Sequence, residues 1–216
     1  MADRSSVTPQ VVRAALRLPL PGRPAQLTMA VRPRPGDRAD IPESCPNVGA
    51  VLVLVYPVDG RLVTPLTVRT EQVELHRGQV SLPGGAREAA DHDLVDTALR
   101  EAGEEVGVSR ADVEVLGPLS PLYIPVSSFC VYPFVGLTPH SFQFRADPNE
   151  VARVVEASLD QLLEPSMQGL ERHERDGQTF EVPFYRVSGQ KVWGATAMIL
   201  AEFAALLGAV VNPQSP

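Results

Sequence analysis

Cysteine is scarce in this 216-residue chain: Cys45 and Cys130 are the only two. Two thiols are too few to suggest a disulfide framework, and no closely spaced cysteine pair offers zinc ligation. The expectation is a reduced, cytoplasmic protein in which Cys130 is an inert buried thiol, since no basic neighbour marks it as a nucleophile. The amino terminus lacks the basic region, apolar run and small-residue cleavage site of a secretory leader, so export is not expected. Long hydrophobic runs are missing too. Val48–Val58 and Thr196–Val211 are too short, or too alanine-rich and interrupted, for a membrane span of about 20 apolar residues. They are assigned to the core, with no membrane partner. A net charge of -7 argues against a broad nucleic-acid surface, although arginines and a metal can still hold a polyanion locally. Internal repeats and a Gly-x-Gly-x-x-Gly dinucleotide fingerprint are both absent.

What is present is ordinary for a globular chain apart from its abundance of proline and glycine, and the length suits one sizeable core. Residues 1–45 read as an amino-terminal extension packed on the domain or lying at a dimer interface, with Val7–Leu18 a short amphipathic helix and Pro19–Asp40 broken by Pro and Gly. Residues 46–212 read as the catalytic domain. Gly49–Tyr56 and Arg61–Arg69 flank an Asp59-Gly60 turn as strands, and Gln79–Leu82 is a short extended approach to Pro83-Gly84-Gly85. Val113–Gly117, Phe129–Val135 and Phe180–Arg186 are further strands, Leu159–Leu163 is a short helix or turn, and Ala195–Leu207 is a core helix. This order gives an α/β fold with a mixed sheet between helices.

The chemically specific segment is Gly84–Val108, GGAREAADHDLVDTALREAGEEVGV. A helix beginning near Asp91 places Glu101, Glu104 and Glu105 within an arc of about 100°, beside an apolar face of Val95, Leu99, Ala102 and Val106. Like charges four residues apart repel, and acids late in a helix oppose its dipole. A divalent cation is the natural compensation, which points to a hard-metal phosphate site.

Arg100-Glu101-Ala102-x-Glu104-Glu105-x-Gly107-Val108, with Gly85 upstream, resembles the signature box of the Nudix hydrolases. The interval from Gly85 to Arg100 is one residue longer than usual, as in the coenzyme A diphosphatase branch. The resemblance to that branch extends through Leu66-Thr67-x-Arg69-Thr70, His76-x-Gly78-Gln79-Val80 and Leu82-Pro83-Gly84-Gly85, and returns in Val182-Pro183-Phe184-Tyr185 and Val192-Trp193-Gly194-Ala195-Thr196-Ala197. Glu74 departs from it, standing where the branch has a basic residue. The resemblance implies an α/β/α sandwich with a mixed β-sheet, and hydrolysis of the diphosphate bond of coenzyme A or acyl-CoA. Another nucleoside diphosphate derivative, or a purely nucleotide-binding role, is the alternative.

Mg²⁺ or Mn²⁺ is the implied cofactor, with Glu101, Glu104 and Glu105 as oxygen ligands. Glu104 either ligates a second metal or helps position or deprotonate the attacking water. Arg100 anchors the glutamates by carboxylate contacts. Arg69, His76, Gln79, Gly84 and Gly85 are the candidate substrate-binding residues. Asp91 reads as a helix cap or supporting acid, Trp193 as a core residue, and Tyr123, Phe129 and Tyr132 as core residues or nucleobase neighbours. The expected partners are a nucleotide-containing small molecule and a second copy of the chain in a homodimer.

Overall fold

A computed structural model describes residues 6–34, 36–38, 41–70, 79–146, 148, 151–175 and 177–213. Its spine is β1 (Asn47–Val58), where alternate residues face opposite ways. Ala50, Leu52, Leu54 and Tyr56 pack with Ala98, Leu99, Ala102 and Val106 on one side. Val53 and Val55 pack with Ala197, Leu200, Phe203 and Leu207 on the other. An unbroken apolar run is therefore what a strand between two helical layers requires. Those layers are α3 (Leu94–Val106) and α5 (Gly194–Val211).

Around β1 the sheet is mixed. Asp59 and Gly60, both at positive φ, turn the chain into antiparallel β2 (Arg61–Arg69), which pairs only with the far end of β1, Tyr56 opposite Val63. The near end of β1 is thereby free to take β4 (Gly84–Ala86), Ala50 opposite Gly85. On its other side β1 runs parallel to β7 (Phe129–Leu137). The sheet is completed by β3 (Val80–Ser81) and β8 (Val151–Ser158) on β2, and by β5 (Glu114–Pro118) and β6 (Leu122–Ile124) on β7. A second, antiparallel sheet holds β9 (Gln168–Arg175), β10 (Gln178–Val187) and β11 (Gln190–Trp193). The fold is the expected α/β/α sandwich with a mixed sheet.

The amino-terminal segment, with α1 (Pro9–Ala15) and α2 (Arg23–Gln26), packs on α5. Arg13 pairs with Glu114, and the Val7 N–H donates to Asp160 Oδ1 at 2.7 Å. Glu202, fully buried in α5, accepts from the N–H groups of Gly22 (3.1 Å) and Ser120 (3.1 Å) and from Gln26 Nε2 (3.0 Å). By length and apolarity α5 passes for a membrane span, but these contacts make it a core helix.

Several expectations are corrected. Cys130 is not a free thiol: it is joined to Cys45 by a disulfide. Cys130 stands opposite Val48 of β1, and Cys45 lies just before β1 begins, so the parallel β1–β7 pairing brings residues distant in sequence to a Cα separation of 6.2 Å. The glutamate helix starts at Leu94, not near Asp91, because Asp93 caps it by accepting from the Asp96 N–H at 2.8 Å. Trp193 is not a core residue. Its neighbour Val192 takes the inward position with no exposure, leaving Trp193 41 % exposed opposite Phe184.

Candidate active site

Helix α3 ends at Gly107, in the left-handed conformation that glycine tolerates best. Its last two turns carry the three glutamates, and β4 lies against them. Glu105 is 4 % exposed, and its Oε2 accepts from the Gly84 N–H at 3.2 Å. Glu101 packs on the next residue: a Cβ placed on Gly85 would lie 2.5 Å from the Glu101 carboxylate carbon. The paired glycines are thus a close backbone wall for two of the carboxylates. Glu104 points outward, its side chain 61 % exposed.

Arg100 stands at the centre of the acids. Its Nε and Nη2 donate to the two oxygens of Asp91 at 3.0 and 3.2 Å, and Nη2 also donates to the Ala86 carbonyl at 3.0 Å. Nη1 reaches Glu101 Oε1 at 2.9 Å and Glu104 Oε2 at 3.2 Å. The expected anchoring of glutamates is observed, but the two-pronged carboxylate contact is made with Asp91. Asp91 is not the helix cap. It further accepts from the Glu88 N–H (2.9 Å) and the Thr97 hydroxyl (2.9 Å). The Arg100 guanidinium, then the Glu88 N–H, hold the Asp91 carboxyl well below the usual carboxylate range, and Asp91 in turn raises Arg100.

Of the other candidate residues, Arg69 and Gln79 are brought side by side, the Arg69 N–H donating to the Gln79 carbonyl at 3.0 Å. Arg69 Nε is buried without a hydrogen-bond partner among the described residues. His76 and Glu74 lie outside the described residues. Tyr123 sits beneath Arg38, 5.7 Å from guanidinium carbon to ring centre, and lines a void of about 40 Å³, room for about one water. A cavity of about 640 Å³ lies away from the glutamates, beside the β1–β2 turn, where Arg61, Phe144, Glu156 and Ser158 line it.

One residue of this architecture has no place in the sequence expectations. A Cβ on Gly49 would lie 2.1 Å from the Gly85 carbonyl and 2.8 Å from the Phe129 ring, so Gly49 is what lets β4 approach β1. The available signal was a glycine at the head of an apolar strand, which marks a close backbone approach.

The donors suit a hard divalent cation: carboxylate oxygens from one helix face, one of them buried and held by a backbone amide. As arranged, Arg100 Nη1 holds Glu101 and Glu104, and among the described residues no three acidic, histidine or cysteine side chains already surround a common point. Each of these two glutamates meets Arg100 Nη1 through one oxygen, which leaves its second oxygen for a cation.

Residues 46–176 match the NUDIX domain. The chain is 38 % identical over 139 residues to a protein of Photorhabdus laumondii named uncharacterized Nudix hydrolase NudL, covering 64 % of this chain and 74 % of that protein. The namesake in Pectobacterium atrosepticum is 40 % identical over 139 residues, covering 64 % of this chain and 72 % of that protein. Among solved structures, a C. elegans Ap4A hydrolase binary complex superposes with a TM-score of 0.53 at 12 % identity, over 76 % of this chain and 98 % of that one, a likeness of fold. The chain belongs to the Nudix family, hydrolases of phosphoric anhydride bonds in nucleotide-type substrates.

Proposed function

We propose that the glutamate face of α3 beside the Gly84-Gly85 turn hydrolyses the diphosphate bond of a nucleoside diphosphate derivative, with coenzyme A or acyl-CoA as the substrate. The observation that carries the site is the packing of Glu101 and Glu105 on glycine backbone, which concentrates acids beside main chain that carries no side chain of its own. The coenzyme A reading is supported by the motif around Arg69 and by the Trp193–Ala197 segment.

In this reading Glu101, Glu104 and Glu105 hold Mg²⁺ or Mn²⁺. The bound cation supplies charge neutralisation at the diphosphate oxygens and lowers the pKa of the attacking water. Glu105 is fixed by the Gly84 amide and is the positioned ligand. Glu104, open to solvent, takes the water side and receives its proton. Arg100 and Asp91 hold the helix and the turn in register and touch no substrate. Arg69, whose buried Nε has no partner among the described residues, binds a phosphate oxygen, and Gln79 lies beside it. Water adds to one phosphorus and the bridging oxygen leaves with the other, so coenzyme A gives 4'-phosphopantetheine and adenosine 3',5'-bisphosphate.

The second reading keeps the chemistry and changes the substrate to another nucleoside diphosphate derivative or nucleotide. Glu74 favours it, since a carboxylate near the 3'-phosphate of coenzyme A would repel that group.

The deciding experiment is mass-spectrometric product identification with coenzyme A, ADP-ribose, NADH and nucleoside triphosphates in parallel, with Mg²⁺ or Mn²⁺ and a Glu105→Gln control. Metal-dependent adenosine 3',5'-bisphosphate, absent in the control, is expected. Turnover of another substrate alone selects the second reading, and binding without any turnover would leave a nucleotide-binding module.

A further inference from the structure

The outer edge of β9 closes the three-stranded sheet, and among the described residues no strand pairs with it. The direction of its backbone groups follows from the far side of β10. The Arg32 N–H donates to the Glu181 carbonyl at 2.9 Å, and the Glu181 N–H donates back to the Arg32 carbonyl at 2.7 Å. A residue in a strand turns its N–H and C=O to the same side, so those of Glu181 point away from β9. Glu181 lies opposite Arg172, and theirs is consequently a pair without backbone hydrogen bonds. Arg172 therefore turns its own N–H and C=O to the open edge, and so does Glu174 two residues on.

The residues along that edge are Glu171-Arg172-His173-Glu174-Arg175, of which Arg172 to Arg175 are all exposed. Turned end for end about His173, the run is complementary to itself: Arg172 meets Glu174, while Glu171, already paired with Lys191 and His173 in its own chain, stands opposite Arg175. Backbone geometry agrees with charge, because Arg172 and Glu174 are the residues with outward N–H and C=O and would form the hydrogen-bonded pairs. Registers displaced by one odd step would set an outward residue against an inward one. The nearest allowed alternatives, centred on Arg172 or on Glu174, place arginine on arginine or glutamate on glutamate.

Charges on an edge strand ordinarily discourage pairing. Here their order discourages every neighbouring register and permits one. The existing contact of Arg172 with Glu181, 3.3 Å with Arg172 72 % exposed, is compatible: a partner's Glu174 would extend the row to alternating negative, positive, negative.

We propose that a second copy of this chain pairs along β9, antiparallel about His173, joining two three-stranded sheets into one of six strands. The pairing is independent of the catalytic reading, and its test does not use activity.

Sedimentation velocity of the full chain from about 1 to about 200 µM is expected to show a reversible monomer–dimer equilibrium. Arg172→Glu should weaken it by about tenfold or more, about 1.4 kcal/mol or more, and Arg172→Glu/Glu174→Arg should restore it. Circular dichroism checks that each variant is folded, and Glu174→Arg alone gives the same repulsion if Arg172→Glu fails that check. His173→Cys reads the register, since a pair without hydrogen bonds on the two-fold axis stands about 4.5 Å apart between Cα atoms, within disulfide reach. A monomer at every concentration overturns the proposal. So does a dimer indifferent to the charge reversals, or one that His173→Cys does not cross-link.

Discussion

Asp91 and Arg100 meet in a two-pronged ion pair, Nε to Oδ1 at 3.0 Å and Nη2 to Oδ2 at 3.2 Å, which ties the loop before α3 to the helix surface beside the glutamates. Arg100 carries the ties onward to Glu101, Glu104 and the Ala86 carbonyl. Asp91→Asn removes the charge and keeps the shape, so the turn and helix lose their clamp without a cavity. The expected result is a roughly tenfold or greater fall in kcat, the scale on which misplacement of supporting groups acts. The pH dependence separates this from a general defect. The Asp91 carboxyl is depressed in the folded chain, so its stabilisation is complete above the unfolded value of about 3.9 and is lost as pH falls from there toward the folded value. The melting-temperature gap between wild type and Asp91→Asn should be constant near neutrality and close as pH falls below about 4, measured by calorimetry.

Gly85→Ala tests the glycine wall. The new methyl would lie 2.5 Å from the Glu101 carboxylate carbon, and the Glu101 side chain must swing away. Gly85 needs no left-handed backbone, so β4 pairing survives. Turnover should fall about a hundredfold while the melting temperature moves by a few degrees. Gly49→Ala should behave differently, since its methyl strikes the Gly85 carbonyl and the Phe129 ring, neither of which is free to move. Loss of folded protein is the expected outcome there, read by thermal unfolding.

The glutamate face was legible because three acids at helical spacing before a glycine form a local pattern, and local patterns survive folding. The bounds of β2, Arg61–Arg69, were legible for the same reason, set by the Asp59-Gly60 turn. The role of Asp91 was not, because it depends on how the loop from Gly85 to Asp93 returns onto the helix. Asp93, two residues on, was the better cap, and which of two neighbouring aspartates takes the cap is decided by loop geometry. Strand β9 left no pattern, since its edge position exposes nearly every residue and alternation of apolar side chains disappears. Trp193 misled because a single-residue step in strand phase exchanges inside for outside. The Cys45–Cys130 pair follows from the parallel alignment of β1 with β7, a long-range choice that two isolated cysteines do not announce.

Arg69 separates a binding role from a structural one. Its buried Nε has no partner among the described residues, a costly state for a donor unless something bound completes it. Arg69→Met keeps the aliphatic bulk and removes the guanidinium. If Arg69 meets substrate phosphate, KM should rise by about tenfold or more, the value of a charge-assisted contact, with the melting temperature unchanged or higher. If the arginine were a structural ion-pair partner, the melting temperature would fall instead and KM would stay put.

Glu202 holds the amino-terminal segment to the domain. The carboxylate has no exposure, and among the described residues no cationic side chain bonds to it. Its two oxygens are shared among three donors, the Gly22 and Ser120 amides and Gln26 Nε2. Glu202→Ala strands those donors in the core, a loss of about 3–5 kcal/mol. Glu202→Gln does not rescue it fully, because both carboxylate oxygens accept and an amide nitrogen in either place would face a donor. Reversing the Gln26 amide to accept would break its 2.9 Å bond to the Ser120 carbonyl. The glutamine variant should therefore be destabilised by about 1–3 kcal/mol, between wild type and alanine, as read from urea midpoints at constant m-value. Limited proteolysis should cut the segment around Gly22 first in Glu202→Ala, exposing the apolar face of α5 and driving aggregation. Equal stability of the three proteins would show that the segment is held by its other contacts, those of Arg13 with Glu114 and Val7 with Asp160.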